Sequence, residues 1–438
     1  MAIASFGYHR RMWVRGALFG LVLGGCYSPS FDSCSLVCAA NETCPNGYEC
    51  SAGRCAVEGS ICAPMIDGGD DGMPIDNNVV NCGNGISEPG EICFKPADQM
   101  GTGIAGVFDA QFIDADGDGM RDIAFLTPTG YVFHLYSGGG FSGVNTTGPS
   151  VPGSTRMRGV NLSGDPTPEL VNNNKVAGRV EVWDIAGGTS TLAGMIASET
   201  NDAQAIALGH TTGVGDPLSI VMVFSTRLRA FQLPAGGALS PLAQSGTGFL
   251  LSGAKDVAVG DIDKNMIDEI AVADADGIEV FKNVNSTITK TSSPNIGQPV
   301  DAIAKCDVDG DNTDEFVYAI RATGTVPGRV GTARWMSSTW QLPGARMIQQ
   351  MGAPLECDDF DKDGRGDAVV VATDTSSNVD ILILRGRGDG TFEAPIPFRI
   401  PDGITQIRAN VDFNNDGVSD IIMTSPVTGL ITILESNP

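Results

Sequence analysis

Basic residues, histidines and aromatics are all scarce in this chain of 438 residues. Lys plus Arg number 27 against 52 Asp plus Glu, a formal charge of −25. Such a surface repels phosphate backbones and anionic headgroups, which argues against nucleic acid or a bare membrane surface as partner. Only 3 histidines are present, so the side chain best suited to general acid–base work at neutral pH is nearly missing. Aromatics make up 6%. No apolar run reaches the ~18 residues that a membrane-spanning helix needs, and no nucleophile elbow, zinc helix motif or phosphate loop appears. What is abundant is Gly, at 57 residues, with enough Val, Ile and Ala to bring the hydrophobic share to 42%. That is sufficient for a real core. The composition describes a folded, loop-rich, β-leaning chain with a surplus of carboxylates.

The first 25 residues read as an address. His9, Arg10, Arg11 and Arg15 precede the apolar stretch Gly16 to Leu23, the layout of a secretory signal. Leu23-Gly24-Gly25-Cys26 resembles a bacterial lipobox, which implies that 1–25 is removed and Cys26 is lipidated. The alternative is an ordinary secretion signal. The expectation is export and lipid anchoring to the bacterial cell envelope, at the outer membrane or cell surface, with membrane contact only through the lipid.

Of 11 cysteines, setting Cys26 aside leaves an even number. Cys34, Cys38, Cys44, Cys50, Cys55 and Cys62 crowd into residues 26–62. A segment that short cannot fold on a hydrophobic core alone, and it offers no His for a metal knuckle, so disulfides are expected. Residues 63–81, rich in Asp and Gly, lack hydrophobic periodicity and read as a linker. Cys82-Gly83-Asn84-Gly85 through Glu91 and Cys93 resembles a short Cys-rich repeat of bacterial surface proteins, a disulfide-closed loop over 82–93.

An internal repeat organises the rest. Asp114, Asp116, Asp118 and Asp122 place carboxylates at positions 1, 3, 5 and 9 of a loop that runs into the apolar stretch Ile123 to Leu126. The same template recurs as Asp261, Asp263, Asn265 and Glu269; Asp307, Asp309, Asp311 and Glu315; Asp359, Asp361, Asp363 and Asp367; and Asp412, Asn414, Asp416 and Asp420. Two weaker copies fill the gap. Asn161, Ser163, Asp165 and Glu169 carry Pro166 at position 6, and His210 to Leu218 keeps only the spacing. Seven units of roughly fifty residues, each with several short strands, imply an all-β fold: a seven-bladed β-propeller behind a small disulfide-rich N-terminal segment. In one unit the strands read Asp256 to Gly260, Glu269 to Ala273, Ile278 to Asn283 and Ser286 to Lys290.

The last unit runs out of chain after Leu430 to Glu435, before a fourth strand. Phe94-Lys95-Pro96 through Ile104 resembles Phe392-Glu393-Ala394-Pro395 through Ile404, so residues around 92–103 are expected to complete the final blade and remove an open sheet edge. Cys306 and Cys357 end the first strands of adjacent units and are expected to form a disulfide.

The repeats resemble FG-GAP or VCBS repeats, the units of the integrin α-subunit propeller; Gly388-Asp389-Gly390-Thr391-Phe392 matches the family's Gly-Asp-Gly-Thr-Phe motif, and the resemblance covers residues 92–438. Alternating oxygens at 1, 3 and 5 with a returning carboxylate at 9 follow the hard-ligand logic of Ca²⁺ binding, and Mg²⁺ fits these carboxylate-rich shells less well. About five structural Ca²⁺ sites are expected. Gly119, Gly364 and Gly417 suit the sharp turn at position 6 and Asn312 tolerates it, whereas Met266 fits it poorly, so the fourth loop is expected to bind more weakly. The second and third loops are expected to lack metal.

For activity, His134 reads as an ordinary strand residue, and the plentiful acids are absorbed by the loops. The leading reading is a binding or adhesion module; the alternative is a propeller hydrolase or lyase with a loop-borne site. In integrin-like propellers, ligands meet the face opposite the calcium loops, which implies a protein or glycan partner there. The longest second-to-third-strand connections on that face are Asn172–Arg179, Arg321–Arg329 and Thr373–Asn378. Trp335 and Trp340 could stack on sugars, although blade packing is the commoner role. Arg365-Gly366-Asp367 spells an integrin-recognition tripeptide but belongs to an acidic loop.

Overall fold

The computed structural model describes residues 36–37, 48–51, 54–57, 82–83 and 90–438, less short stretches at 103, 105, 138–139, 163–166, 198–202, 214–216, 234–237, 243–250, 285–286, 349–350, 374–378 and 401–402. The signal segment, Cys26, the bonding of the six crowded cysteines and the linker fall outside the described residues. The chain divides into two units, Met1–Asn78 and Val79–Pro438. The first contains a small antiparallel sheet in which Arg54–Val57 lies between Leu36–Val37 and Tyr48–Ser51.

The second unit is a ring of seven antiparallel sheets. Blade 1 starts at Asp109–Ile113, blade 2 at Met157–Val160, blade 3 at Ala203–Gly209, blade 4 at Asp256–Gly260, blade 5 at Ala302–Cys306, blade 6 at Met351–Asp358 and blade 7 at Gln406–Val411. Among the described residues there is no helix. Second strands such as Glu269–Asp274 and Asp420–Ser425 are buried along their whole length, because each sheet is covered by a neighbour on both faces. Their β-branched runs suit that setting.

Apolar clusters show how the ring holds together. Each of seven clusters joins two adjacent blades: Leu170 and Met157 of blade 2 pack with Phe133 of blade 1, and Phe316 of blade 5 with Val280 of blade 4. The cluster that closes the circle joins Phe112 and Phe125 of blade 1 to Ile422 and Ile431 of blade 7. No blade has an independent core, so none is expected to fold alone.

The expected closure is present. Asp98–Gly101 pairs with Leu430–Leu434 as the outermost strand of blade 7, in the register Leu430 to Gly101 and Ile433 to Asp98. Phe94 bridges to Ser436 as Phe392 bridges to Gly386 in blade 6, which bears out the likeness of the two segments. Cys82 is bonded to Cys93, and the loop packs on the end of the chain rather than standing ahead of the propeller. The Gly83 N–H donates to the Asn437 carbonyl (2.9 Å), and the Asn437 N–H to the Cys93 carbonyl (3.0 Å).

Cys306 and Cys357 form the expected disulfide, with Cα atoms 5.9 Å apart, tying blade 5 to blade 6. Gly366 leaves room for it: a Cβ there would lie 2.0 Å from the Cys306 sulfur. Asp367 is buried, so the Arg-Gly-Asp sequence at 365–367 offers no carboxylate to a partner. Trp335 and Trp340 meet edge to face at 5.2 Å against the cluster of blades 4 and 5, and the Trp340 indole N–H donates to the Ser292 carbonyl. Packing is their role here.

Candidate metal centres

All five acidic loops leave the innermost strand of a blade and return into its second strand. Sheet pairing fixes both ends, and the residues between cross one rim of the ring. Their backbones agree: positions 4 and 6 take positive φ at Gly117 and Gly119, Lys264 and Met266, Gly310 and Asn312, Lys362 and Gly364, and Asn415 and Gly417. The first carboxylate then accepts from the N–H of position 6. Asp114 receives Gly119 (3.0 Å), Asp261 receives Met266 (2.8 Å), Asp307 receives Asn312 (2.7 Å), Asp359 receives Gly364 (3.0 Å) and Asp412 receives Gly417 (2.7 Å).

Met266 therefore adopts the loop geometry despite its side chain, with φ of 65° and its side chain in solvent. A non-glycine residue in the left-handed region costs about 1–2 kcal/mol. Met266→Gly is expected to stabilise the chain by about 1 kcal/mol after the entropy of the added glycine is discounted. Equilibrium denaturation measures it, and a destabilised variant would show that the Met266 backbone is not strained.

The ninth residue opens each second strand and is buried. Asp122, Glu269, Glu315, Asp367 and Asp420 each accept the N–H of position 2, as Asp122 does from Ala115 (2.7 Å) and Glu315 from Val308 (2.8 Å). Burial pushes Glu269 up to about 7, Glu315 to about 8 and Asp420 to about 6, and raises Asp122 and Asp367 as well. Asp361 rises to about 6, first through burial and next through the Asp363 carboxylate. These groups are costly to ionise without a cation.

Ligand atoms converge within 4.8 Å in the sets Asp114, Asp116 and Asp122; Asp261, Asp263 and Glu269; and Asp307, Asp309 and Asp311, and such clusters could hold a metal ion. The donor chemistry, hard carboxylate oxygens, suits a divalent cation. One observation tests the fit directly: Asp263 Oδ1 is buried with no hydrogen-bond partner.

Third-strand cations set the loops apart. The Lys282 ammonium bridges Asp263 (2.5 Å) and Glu269 (2.9 Å), Arg334 contacts Asp309 and approaches Glu315, and Arg385 lies 4.0 Å from Asp361. Among the described residues the blade 1 loop has no such partner. Sequence spacing misses this grading, because Lys282 reaches Glu269 only through the pairing of the second and third strands of blade 4.

Of the weaker loops, Asn161 and Glu169 are described, with Glu169 accepting the Leu162 N–H (2.6 Å), while Ser163, Asp165 and Pro166 fall outside the described residues. The His210 N–H is bound by Asp268 of the blade 4 loop (2.6 Å). A further acidic set, Asp274, Asp276 and Glu279, lies at the turn between the second and third strands of blade 4, on the opposite face. That face has a shorter blade 2 connection than expected, because the strands extend to Asn174 and Arg179 and leave only 175–178.

The innermost strands surround a central cavity of about 850 Å³ that reaches the face opposite the acidic loops, lined there by Asp301, Arg321, Gly403 and Thr405. Charged side chains meet inside it. Arg408 donates to Asp109 (2.8 Å) and Glu356 (3.0 Å), and Arg156, Arg158 and Asp256 stand beside them. Each comes from a first strand or the residue before it.

Residues 359–423 match the model of a family described as FG-GAP-like repeat. The match starts at the first ligand position of blade 6 and ends inside the second strand of blade 7, so the sequence unit straddles two blades. No curated protein matches the chain.

Proposed function

We propose that this seven-bladed propeller of FG-GAP-like repeats is a calcium-stabilised binding module, lipid-anchored at Cys26 to the bacterial cell envelope, that holds a protein or glycan ligand on the face opposite its acidic loops. One observation carries the reading: five loops of one conformation stand on a single rim, with convergent carboxylates at those of blades 1, 4 and 5, while the second-to-third-strand connections occupy the other rim. Calcium can then brace the ring without lying in the path of a ligand. Asp114, Asp116, Asp118 and Asp122 make the strongest site, because no ammonium or guanidinium competes there. Asp261, Asp263, Asn265 and Glu269 make the weakest, because Lys282 already bridges two of the ligands.

Probing the purified chain against glycan and protein arrays, with and without Ca²⁺, tests this reading. Binding that requires Ca²⁺ and is lost when the 321–327 connection is shortened supports it. Signal unaffected by that change would place the ligand elsewhere.

The enzyme reading gains one observation, the meeting of acids and guanidinium groups in the central cavity away from the acidic loops. Those acids are engaged by Arg408 and by backbone N–H groups. His134 packs edge-on against Phe141 in blade 1 and His210 lies at the blade 3 loop, so neither supplies a base to the cavity.

A further inference from the structure

The charges inside the cavity do not pair off evenly. Arg408 takes both near carboxylates, with Nη2 on Asp109 and Nη1 on Glu356. Asp256 accepts the N–H groups of Val257 (2.9 Å) and Ile303 (3.0 Å). That leaves two guanidinium groups from the start of blade 2. Arg156 is held by backbone carbonyls, its Nε on Gln204 and its Nη1 on Thr155, each at 2.9 Å. Arg158 stands 4.0 Å from Glu356 at its closest, and its Nη1 is buried with no hydrogen-bond partner.

A buried N–H of a charged group with nothing to bind carries its full desolvation cost. Burial and the neighbouring Arg408 both hold the Arg158 guanidinium below its ordinary value. Glu356, Asp109 and Asp256 supply countercharge nearby, but none of them bonds the Arg158 Nη1. The whole chain, at a formal −25, repels anions, yet the cavity lining carries six Lys and Arg against three Asp and Glu, which makes it a place where an anion gains. Its volume lies in the range of small-ligand sites.

We propose that the central cavity binds a small oxyanion-bearing ligand, a carboxylate or a tetrahedral oxyanion, between Arg156 and Arg158. The planar fork of Arg158 is suited to donate to two oxygens at once. This site is distinct from the acidic loops, and its existence does not depend on the lipid anchor or on a ligand at the connecting loops.

Isothermal titration of the full chain in Ca²⁺, with sodium succinate in one series and sodium sulfate in another, tests the proposal. Saturable one-site binding of at least one probe is expected, weakened about tenfold or more in Arg158→Gln and in Arg156→Gln, since each loses a charge-assisted hydrogen bond. Lys290→Gln, which alters an exposed cation on the outer strand of blade 4, is expected to bind as the parent does. Preference for succinate assigns the site to carboxylates, and preference for sulfate to tetrahedral oxyanions. Two independent variants keep the test decisive if one does not fold. Absence of saturable binding of both probes, or parental affinity in both arginine variants, would overturn it.

Discussion

Removing calcium with EGTA is expected to lower the melting temperature of the chain by roughly 15–20 °C. A site held at a hundredfold its dissociation constant contributes about 2.7 kcal/mol through mass action, and five such sites about 13 kcal/mol. A propeller of about 350 residues unfolds with an entropy near 0.7 kcal/mol/K, and the ratio gives the shift. The gap between loaded and stripped protein is expected to widen with pH. Glu269, Glu315, Asp361 and Asp420 have folded-state values of about 7, 8, 6 and 6 against ordinary values of 4.5, 4.5, 3.8 and 3.8. A raised carboxyl stabilises the fold while protonated; that contribution is complete below the ordinary value and is lost as pH climbs through the folded-state value. Stripped protein therefore weakens from about pH 4 to 8, with Asp361 and Asp420 contributing up to about 6 and Glu269 and Glu315 up to about 7 and 8, whereas bound calcium favours the ionised form and removes the dependence. Scanning calorimetry at pH 5.5 and 8, with and without EGTA, reads both effects. A melting temperature indifferent to EGTA at both pH values would show that the loops do not hold structural calcium.

Deleting the closing strand is expected to be as damaging. A chain beginning at residue 104 loses the partner of Leu430–Leu434 along with Phe94, which packs edge-on against Phe398 (5.2 Å) and Phe360 (6.3 Å). Blade 7 would then present an unpaired edge, a template for intermolecular pairing, and the ring would be held closed by the remaining contacts between blades 7 and 1, the apolar cluster and the Arg408–Asp109 ion pair among them. The expected result is aggregation, or a melting temperature lower by more than about 10 °C. A chain beginning at residue 79 should melt like the full protein, because the second structural unit starts there. Phe94→Ala supplies an intermediate case, costing about 3 kcal/mol for a ring lost from packing. If the chain from 104 melts like the chain from 79, closure contributes little.

Much of this architecture was legible because the acidic loops mark the same hairpin in blade after blade. Asp114, Asp261, Asp307, Asp359 and Asp412 each announce a first strand ending and a second beginning. Phe94 could be matched to Phe392 because both open a closing segment of one pattern. Properties that depend on ring closure were not legible. Arg158, Glu356 and Arg408 are far apart in the chain and meet only because innermost strands converge on one axis. Lys282 and Arg334 reach their carboxylates across a register that only the folded sheet defines. The Met266 side chain alone points to a misfit, whereas the flanking strands hold its backbone in the common loop form.

The offset between sequence unit and blade has a temporal consequence. Asp98–Gly101 is synthesised before any complete blade, yet its partner Leu430–Leu434 is the last of the described propeller strands to emerge. A Lys95–Glu435 ion pair spans 340 residues of sequence. The earliest part of the domain must wait for the latest, and contacts so distant in the chain are slow to form. Six blades can assemble in order as the polypeptide lengthens, but the circle can lock only after Leu430–Leu434 has been made. A chain stopped short of residue 430 would keep one strand without a mate, which gives quality control a simple way to tell a finished molecule from an interrupted one.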